Sequence, residues 1–448
     1  MLKELLLPDI RELLTEKKFL ELKEGIKDWE APEVADLLME LNEEEQGIFF
    51  RLLNREQAAE VFSYLDITSQ SNLLKTFTSE NIRMILQDIP PDDRTALLEE
   101  LPAEVTRNLL NLLSAEDLKE ARMLLGYPED SVGRLMTPDY VALKPYITIE
   151  TALYEIRLSG KNKETIDRIY IVDDNFKLID DIPLKDLIFS DPERKIEEIM
   201  DGNFIAISAY KDKEEAVEMM KKYDLVAIPV IDSNGILVGI ITHDDILDVA
   251  EEEATEDIQK IAAIAPLDLP YDKTSVWTLF RKRVLWLILL LIAYFFSSAL
   301  ISHYETLLSN IIALSFFIPM LIGSGGNTGS QSSTLIVRAL ALKEIEIKDW
   351  LKIFLKELLI GFLLGLCLSI ILFLRSATWI GLTIGLIVSI SLILIVVWAN
   401  LVGALLPIVL SKFKIDPAIA SSPFVTTLID GTGILIYFTV ATIILKQV

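Results

Sequence analysis

Hydrophobic positions change character twice along this chain. Over residues 1–130 they come as doublets, Leu37-Leu38, Leu52-Leu53, Leu73-Leu74, Ile85-Leu86, Leu97-Leu98 and Leu109-Leu110, the last four spaced by twelve. Helix-start signals stand between them: Thr78-Ser79-Glu80, Pro90-Pro91-Asp92-Asp93 and Ser114-Ala115-Glu116-Asp117. The spacing predicts short helices of about ten residues, stacked in pairs as an all-α superhelix. Asp92 and Asp93 are expected to cap a helix there, the alternative being that they point at a neighbouring domain.

From residue 131 to 250 the apolar positions alternate, and the stretch repeats itself. LMTPDYVALKPYITIETAL (135–153) aligns without gaps on IMDGNFIAISAYKDKEEAV (199–217) at an offset of 64. IYIVDDNFKLIDDIPLKDLI (169–188) then matches AIPVIDSNGILVGIITHDDIL (227–247), with Asp186 against Asp245. Period-two runs flanking turn residues such as Asp232-Ser233-Asn234-Gly235 read as hairpins. Helices such as Lys213–Lys222 complete each unit, so this part is α+β.

Residues 251–280 follow as an acidic connector. Eight acids lie between Asp244 and Asp257, while Ile246, Val249, Ile258 and Ile261 form a partial apolar stripe. On one helix, Asp245, Asp248 and Glu252 share a face, and like charges at that spacing repel. A solvated face is one reading. Divalent cations bridging the carboxylates is another, since hard oxygen ligands suit Mg²⁺ or Ca²⁺.

After residue 280 the pattern predicts five membrane spans: 284–302, 309–337, 353–374, 379–410 and 423–445. Arg281-Lys282-Arg283 places the start of the first span on the cytoplasmic side. Alternation then puts Lys343, Lys348, Lys352, Lys412 and Lys414 inside, Arg375 and Lys446 outside, and the C-terminus outside. The second span carries PMLIGSGGNTGSQSS (319–333), whose Pro319, four glycines, Asn327, Thr328, Ser330 and Gln331 suggest broken backbone lining a cavity, small-residue packing against neighbouring helices, or both. Asn400, Gly403 and Pro407 suggest a kinked, polar spot in the fourth. In the last span, Asp430 lies seven residues past Pro423, roughly 10 Å into the helix. A carboxylate at that depth is costly and points to function. Either it holds a proton or it meets a cation from a water-filled path.

Charge sharpens the division. The whole chain carries a net charge of −25. Only seven of its 67 acidic residues follow residue 280, against twelve of its 42 basic ones. An acidic soluble part is thus joined to a mildly basic membrane part. Acidity disfavours nucleic acid and anionic headgroups as partners and favours cations. Cys367 is the single cysteine, so no intrachain disulfide forms. Two histidines, His243 and His303, give no basis for a zinc or copper site. The N-terminus lacks a signal peptide's long apolar core, so the soluble half is expected in the cytoplasm.

Two resemblances add to this. Residues 131–250 resemble a tandem pair of CBS domains, which commonly bind adenosine-containing ligands. Gly239-Ile240-Ile241-Thr242 with Asp245 is similar to the stretch whose hydroxyl and carboxylate hold a ribose, and Asp186 is its counterpart in the first copy. Capping of the following helix is the equal alternative for these residues. The whole chain, through GSGGNTGSQ, DPAIASSPFVTTLIDGTG, EEEATEDI, the CBS pair and the helical N-terminal part in this order, resembles the MgtE family of magnesium channels. That resemblance implies a homodimeric pore in which Asp430, with Asn327, Ser330, Gln331 and Ser422, serves a hydrated Mg²⁺. Ser330 and Ser422 stand where some members have Asn. It further implies an acidic plug helix that closes the cytoplasmic mouth when Mg²⁺ fills sites at Asp93, Glu214, Asp224, Asp245, Asp248, Glu253, Glu256, Asp257 and Asp416. ATP or another adenine nucleotide at the CBS pair is implied as well.

The expectation is therefore a multidomain protein of the cell membrane. Its parts are a helical N domain (1–130), tandem CBS domains (131–250), an acidic connecting helix (251–280) and a five-helix pore domain (281–448). Its function would be a homodimeric Mg²⁺ channel closed by internal Mg²⁺, with Co²⁺ and Mn²⁺ as further cargo candidates and no enzymatic activity. A membrane-anchored CBS sensor that transports nothing and a proton-coupled divalent cation carrier are the alternatives. An intramembrane aspartyl protease would need two acids in the bilayer, and this reading counts one, Asp430.

Overall fold

The computed structural model describes residues 2–267, 271 and 274–446. Residues 268–270 and 272–273, inside the expected 251–280 connector, lie outside the described residues. The chain forms two compact units, 1–251 and 252–448.

In the first unit, short helices run from Leu2 to Leu124, as the doublets predict. Their starts are set locally. Asn42, Asn54, Asp66, Thr78 and Ser114 each accept a hydrogen bond from a backbone N–H of the turn they cap. The doublets face inward: Leu37, Leu38, Leu73, Leu74, Ile85, Leu86, Leu97 and Leu98 are all buried in one core. Asp92 and Asp93 do not cap. The Pro91–Glu100 helix starts on Pro90, without a side-chain cap, and both aspartates lie in its first turn. Proline's fixed φ begins the helix there, which leaves the two carboxylates free for other work.

The repeat folds into two three-stranded sheets. β1 (Ala142–Leu143) pairs in parallel with β2 (Arg168–Val172), which pairs antiparallel with β3 (Leu178–Pro183). β4 (Ile207–Ser208), β5 (Ala227–Ile231) and β6 (Leu237–Thr242) repeat that order. Each hairpin turn is held by one aspartate: Asp173 accepts from the N–H groups of Asn175 and Lys177, Asp232 from those of Asn234 and Ile236. Gly235 takes the left-handed conformation its turn needs (φ +81°). The hairpins meet each other, with Leu178 N–H bonded to Gly235 O and Leu237 N–H to Phe176 O.

The acidic helix starts at His243, straight after β6, and ends at Ile261. The boundary between the two units falls inside it.

The second unit holds five long helices: Val276–His303, Ile318–Ala341, Trp350–Trp379, Leu382–Lys412 and Ser422–Leu445. They are called here the first to fifth apolar helices. Among the described residues, four of them are long and apolar enough to cross a membrane; the second is too polar to count by composition. The expected 309–337 span divides. Residues Ile312–Phe317 form 3-10 turns, and the helix proper starts at Ile318 with Pro319 in its first turn. The expected break inside the glycine stretch is absent, since that helix is continuous to Ala341. Packing explains this. A Cβ on Gly329 would lie 3.0 Å from Ala399 O and 2.1 Å from the Ile429 side chain, and one on Gly403 would lie 2.2 Å from Gly329 O. The glycines let three helices approach closely, and that contact offsets their poor helix propensity. Pro407 is likewise accommodated inside the fourth helix. The core of this unit centres on Leu321, Ile387, Val388, Ile395, Val396, Tyr437 and Phe438.

Candidate ion pathway and acidic clusters

Asp430 is buried on the fifth apolar helix, 7% exposed. Its Oδ2 accepts a hydrogen bond of 2.8 Å from the Tyr294 hydroxyl of the first helix. Its Oδ1 is buried with no hydrogen-bond partner among the described residues. Such an atom is costly unless something polar meets it.

Ser330 and Ser422, singled out separately in the sequence, come together. The Ser422 hydroxyl donates to Ser330 Oγ at 2.9 Å, and Ser330 also meets Thr426 at 3.0 Å. The polar segment of the second helix is thus tied to the first turns of the fifth, two turns (Ser422) and one turn (Thr426) before Asp430. Asn327 and Gln331 point elsewhere. With Gly323 and Thr334 they form an exposed stripe on the second helix. A polar stripe on a membrane helix needs water or protein over it.

A second acid is buried among the apolar helices. Glu357, in the third helix and within the expected span 353–374, is 8% exposed. Its Oε2 accepts from Asn400 Nδ2 at 2.6 Å and from the Ser332 hydroxyl at 3.0 Å. Gly361, one turn on, brings the fourth helix within reach, because a Cβ there would meet Val397 Cα at 3.0 Å and Asn400 Cβ at 3.1 Å. Glu357 and Asp430 bond to different partners and share none, so they do not form a protease-like dyad. Neither Tyr294 nor the Asn400–Glu357 pair carries a sequence signal beyond polarity inside an apolar run.

Within the first unit, five carboxyls gather: Asp92 and Asp93 of the helical domain, Asp245 and Asp248 of the acidic helix, and Glu164 of the first CBS repeat. Burial raises each of them above the usual carboxylate range, and the charges that add to the shift are one another's and those of Asp244, Asp139 and Glu251. Asp245 is pushed up to about 7, by burial first and then by Asp244 and Asp93. Asp92 Oδ1 is buried without a partner. Thr242 donates to Asp245 at 3.0 Å and also to Asp244, so these helix-start carboxylates and the hydroxyl form one group. Asp186 lies apart and exposed, in the Leu184–Phe189 helix. Glu214 is exposed in the first turn of the Lys213–Tyr223 helix, and Asp224 ends that helix in the left-handed conformation (φ 53°).

In the second unit, Glu256 and Asp416 share a partner that the sequence reading did not include. Lys260 Nζ lies 2.7 Å from Asp416 Oδ2 and pairs with Glu256 as well. Burial alone would lower the Lys260 pKa, but Asp416 and Glu256 outweigh it and raise it. Asp257 is raised, by burial first and then by Asp416. Glu253 lies half-buried on the same helix.

Among the described residues, no three His, Cys, Asp or Glu side chains already converge into a metal-holding group. The donor set is nonetheless all oxygen and crowded, and it includes an orphaned buried atom. That fits a hard cation held largely through its own waters.

Comparison with known proteins bears on these clusters. Residues 29–130 match the family model for the MgtE intracellular N domain, 132–192 and 196–252 match CBS domains, and 318–440 match the MgtE divalent cation transporter domain. The chain is 40% identical to magnesium transporter MgtE of Thermus thermophilus, covering 100% of both chains. It is 33% identical to the Bacillus subtilis protein of the same name, over 96% of this chain and 95% of that one. Among solved structures, the cytosolic domain of the Mg²⁺ channel MgtE in complex with ATP matches at TM-score 0.52 and 35% identity, covering 54% of this chain and 99% of that one. The soluble part of a magnesium transporter matches at TM-score 0.53 and 27% identity, covering 56% and 99%.

Proposed function

The chain belongs to the MgtE family of magnesium transporters, and from that premise we propose that it is a homodimeric Mg²⁺ channel of the cell membrane, closed by internal Mg²⁺. Asp430 carries the reading. A buried carboxylate oxygen with no partner among the described residues, on a helix long enough to span, needs a cation, a water or a proton. Mg²⁺ dehydrates reluctantly, so the ion meets Asp430 through its water shell. Ser330 and Ser422 order the approach, while Asn327 and Gln331 offer oxygens along the exposed stripe. A second copy of the chain covering that stripe accounts for its polarity.

Gating follows from the carboxyl clusters. With little Mg²⁺, Asp93, Asp245 and Asp248 repel within the cytosolic part, and around the acidic helix Asp257 faces Asp416 beside Glu253 and Glu256, with Lys260 offsetting only part of that charge. Glu214 and Asp224 add to the same acidic surface. Mg²⁺ held by these residues relieves the repulsion and favours the closed form, a population shift set by preferential binding. The Thr242–Asp245 group of the second CBS repeat suits a ribose, and Asp186 is its counterpart. An adenine nucleotide there would compete with Mg²⁺ for Asp245.

The test is Mg²⁺ uptake by the full chain in proteoliposomes. Asp430→Asn should reduce uptake to near the protein-free background. Normal uptake by that variant would remove Asp430 from the pathway. A counter-flow of protons with Mg²⁺ in the wild type would favour a coupled carrier over a channel.

A further inference from the structure

The first apolar helix packs almost nothing in the protomer: only Leu290 and Ser297 are buried along its 28 residues. Yet Tyr294, on this helix, makes a close polar contact with Asp430. The helix crosses the fifth at Gly431, where an added Cβ would lie 3.3 Å from both Ser297 Oγ and the Phe296 ring. The glycine therefore sets the approach. Tyr294 lies three residues before Ser297, on the same helix face, and its hydroxyl reaches Asp430 Oδ2 at 2.8 Å. Two buried polar atoms at this crossing, Ser297 Oγ and Asp430 Oδ1, have no partner among the described residues.

We propose that Tyr294 is a positioning residue for the ion site, holding the Asp430 carboxylate by Oδ2 so that Oδ1 is presented to the waters of the permeating cation. The inference rests on the pore role of Asp430 given above. The physical case is preorganisation. An aspartate side chain has rotamers to choose among, and a hydrogen bond to a charged oxygen both selects one and spreads part of its charge. Tyr294 is 42% exposed, so its hydroxyl, rather than its packing, is what the contact supplies. Ser297 adds a hydroxyl on the same side, able to accept from or donate to a water of the ion.

Two variants of the full chain test this in proteoliposomes, with Mg²⁺ as the probe. Tyr294→Phe keeps the ring and removes the donor. Its half-saturating Mg²⁺ concentration should rise roughly tenfold, the scale of one hydrogen bond to a charged group, with maximal uptake and inhibition by internal Mg²⁺ unchanged. Gly431→Ala keeps every polar group but pushes the first helix away. It should shift the half-saturation in the same direction. An unchanged or lowered half-saturation in Tyr294→Phe would overturn the proposal, as would a fall in maximal rate with half-saturation constant. If Tyr294→Phe fails to insert, Gly431→Ala decides by the same criterion. Asp430→Asn in the same assay separates the two readings. Normal uptake by Asp430→Asn sinks the pore role itself, whereas an inactive Asp430→Asn beside a wild-type Tyr294→Phe sinks only the role of Tyr294.

Discussion

Lys260 and Asp416 face each other at 2.7 Å, across 156 residues of sequence. Glu256, one helical turn before Lys260, is paired to the same ammonium. A cation of the protein's own thus stands where the sequence suggests that a divalent ion would bridge two carboxylates.

Replacing that ammonium should loosen the closed form. Lys260→Met leaves Glu256 and Asp416 repelling each other until Mg²⁺ arrives. The groups are about a third exposed, so solvent screens the pair and its worth is at most about 1 kcal/mol. The expected outcome is Mg²⁺ uptake at low internal Mg²⁺ up to about fivefold above wild type, converging with it at millimolar Mg²⁺. Uptake equal to wild type at all internal concentrations would show that the pair plays no part in closure.

The Asp245 carboxyl sets a pH dependence. Its pKa in the fold is about 7, against an ordinary 3.8. An acid with a raised pKa favours the folded state when protonated, so its stabilisation is complete below 3.8 and is lost as pH rises to about 7. In the absence of divalent cations, the unfolding midpoint of the cytosolic part should therefore fall by at least about 2 °C between mildly acidic and mildly alkaline buffer. Millimolar Mg²⁺ should restore it, and Asp245→Asn should flatten the slope. Differential scanning calorimetry of the full chain measures all three, and an equal slope in Asp245→Asn would assign the effect to other groups.

Glu357 should behave as a hydrogen-bond acceptor between helices. Glu357→Gln keeps an oxygen for Asn400 and Ser332, and its unfolding midpoint in detergent should stay close to wild type. Glu357→Ala removes two hydrogen bonds to a buried carboxylate, leaving the Ser332 hydroxyl only Asn400 O and Asn400 Nδ2 only the Glu357 backbone O; at about 1.5 kcal/mol or more for a bond to a charged group, it should lower the midpoint clearly. If the two variants melt alike, the Asn400–Glu357 contact contributes little.

Much of this was legible locally. The N-caps at Asn42, Thr78 and Ser114, the hairpin turn at Asp232–Gly235 and the long apolar helices are written in runs of a few residues. Short-range sterics and hydrogen bonds decide them, and the 64-residue repeat shows directly as two sheets of the same order. Where local reading failed, packing overrode propensity. The glycines of the second apolar helix do not break it, because the neighbouring helices use the space they leave. Asp92 and Asp93 do not cap, because Pro90 and Pro91 already start the helix.

The sequence by itself determined the kinds of element, their order, the division into acidic and apolar parts, and Asp430 as the residue of interest. Only the tertiary structure decided which groups meet. Tyr294 and Asp430 are 136 residues apart, Asn400 and Glu357 are 43, and Lys260 and Asp416 are 156. Each pair depends on how one helix is rotated and where it crosses another. That is set by close contacts at Gly431 and Gly361 and by the whole packing around them. Hydrophobic periodicity says which face of a helix turns inward, but not which residue of a distant helix it will find there.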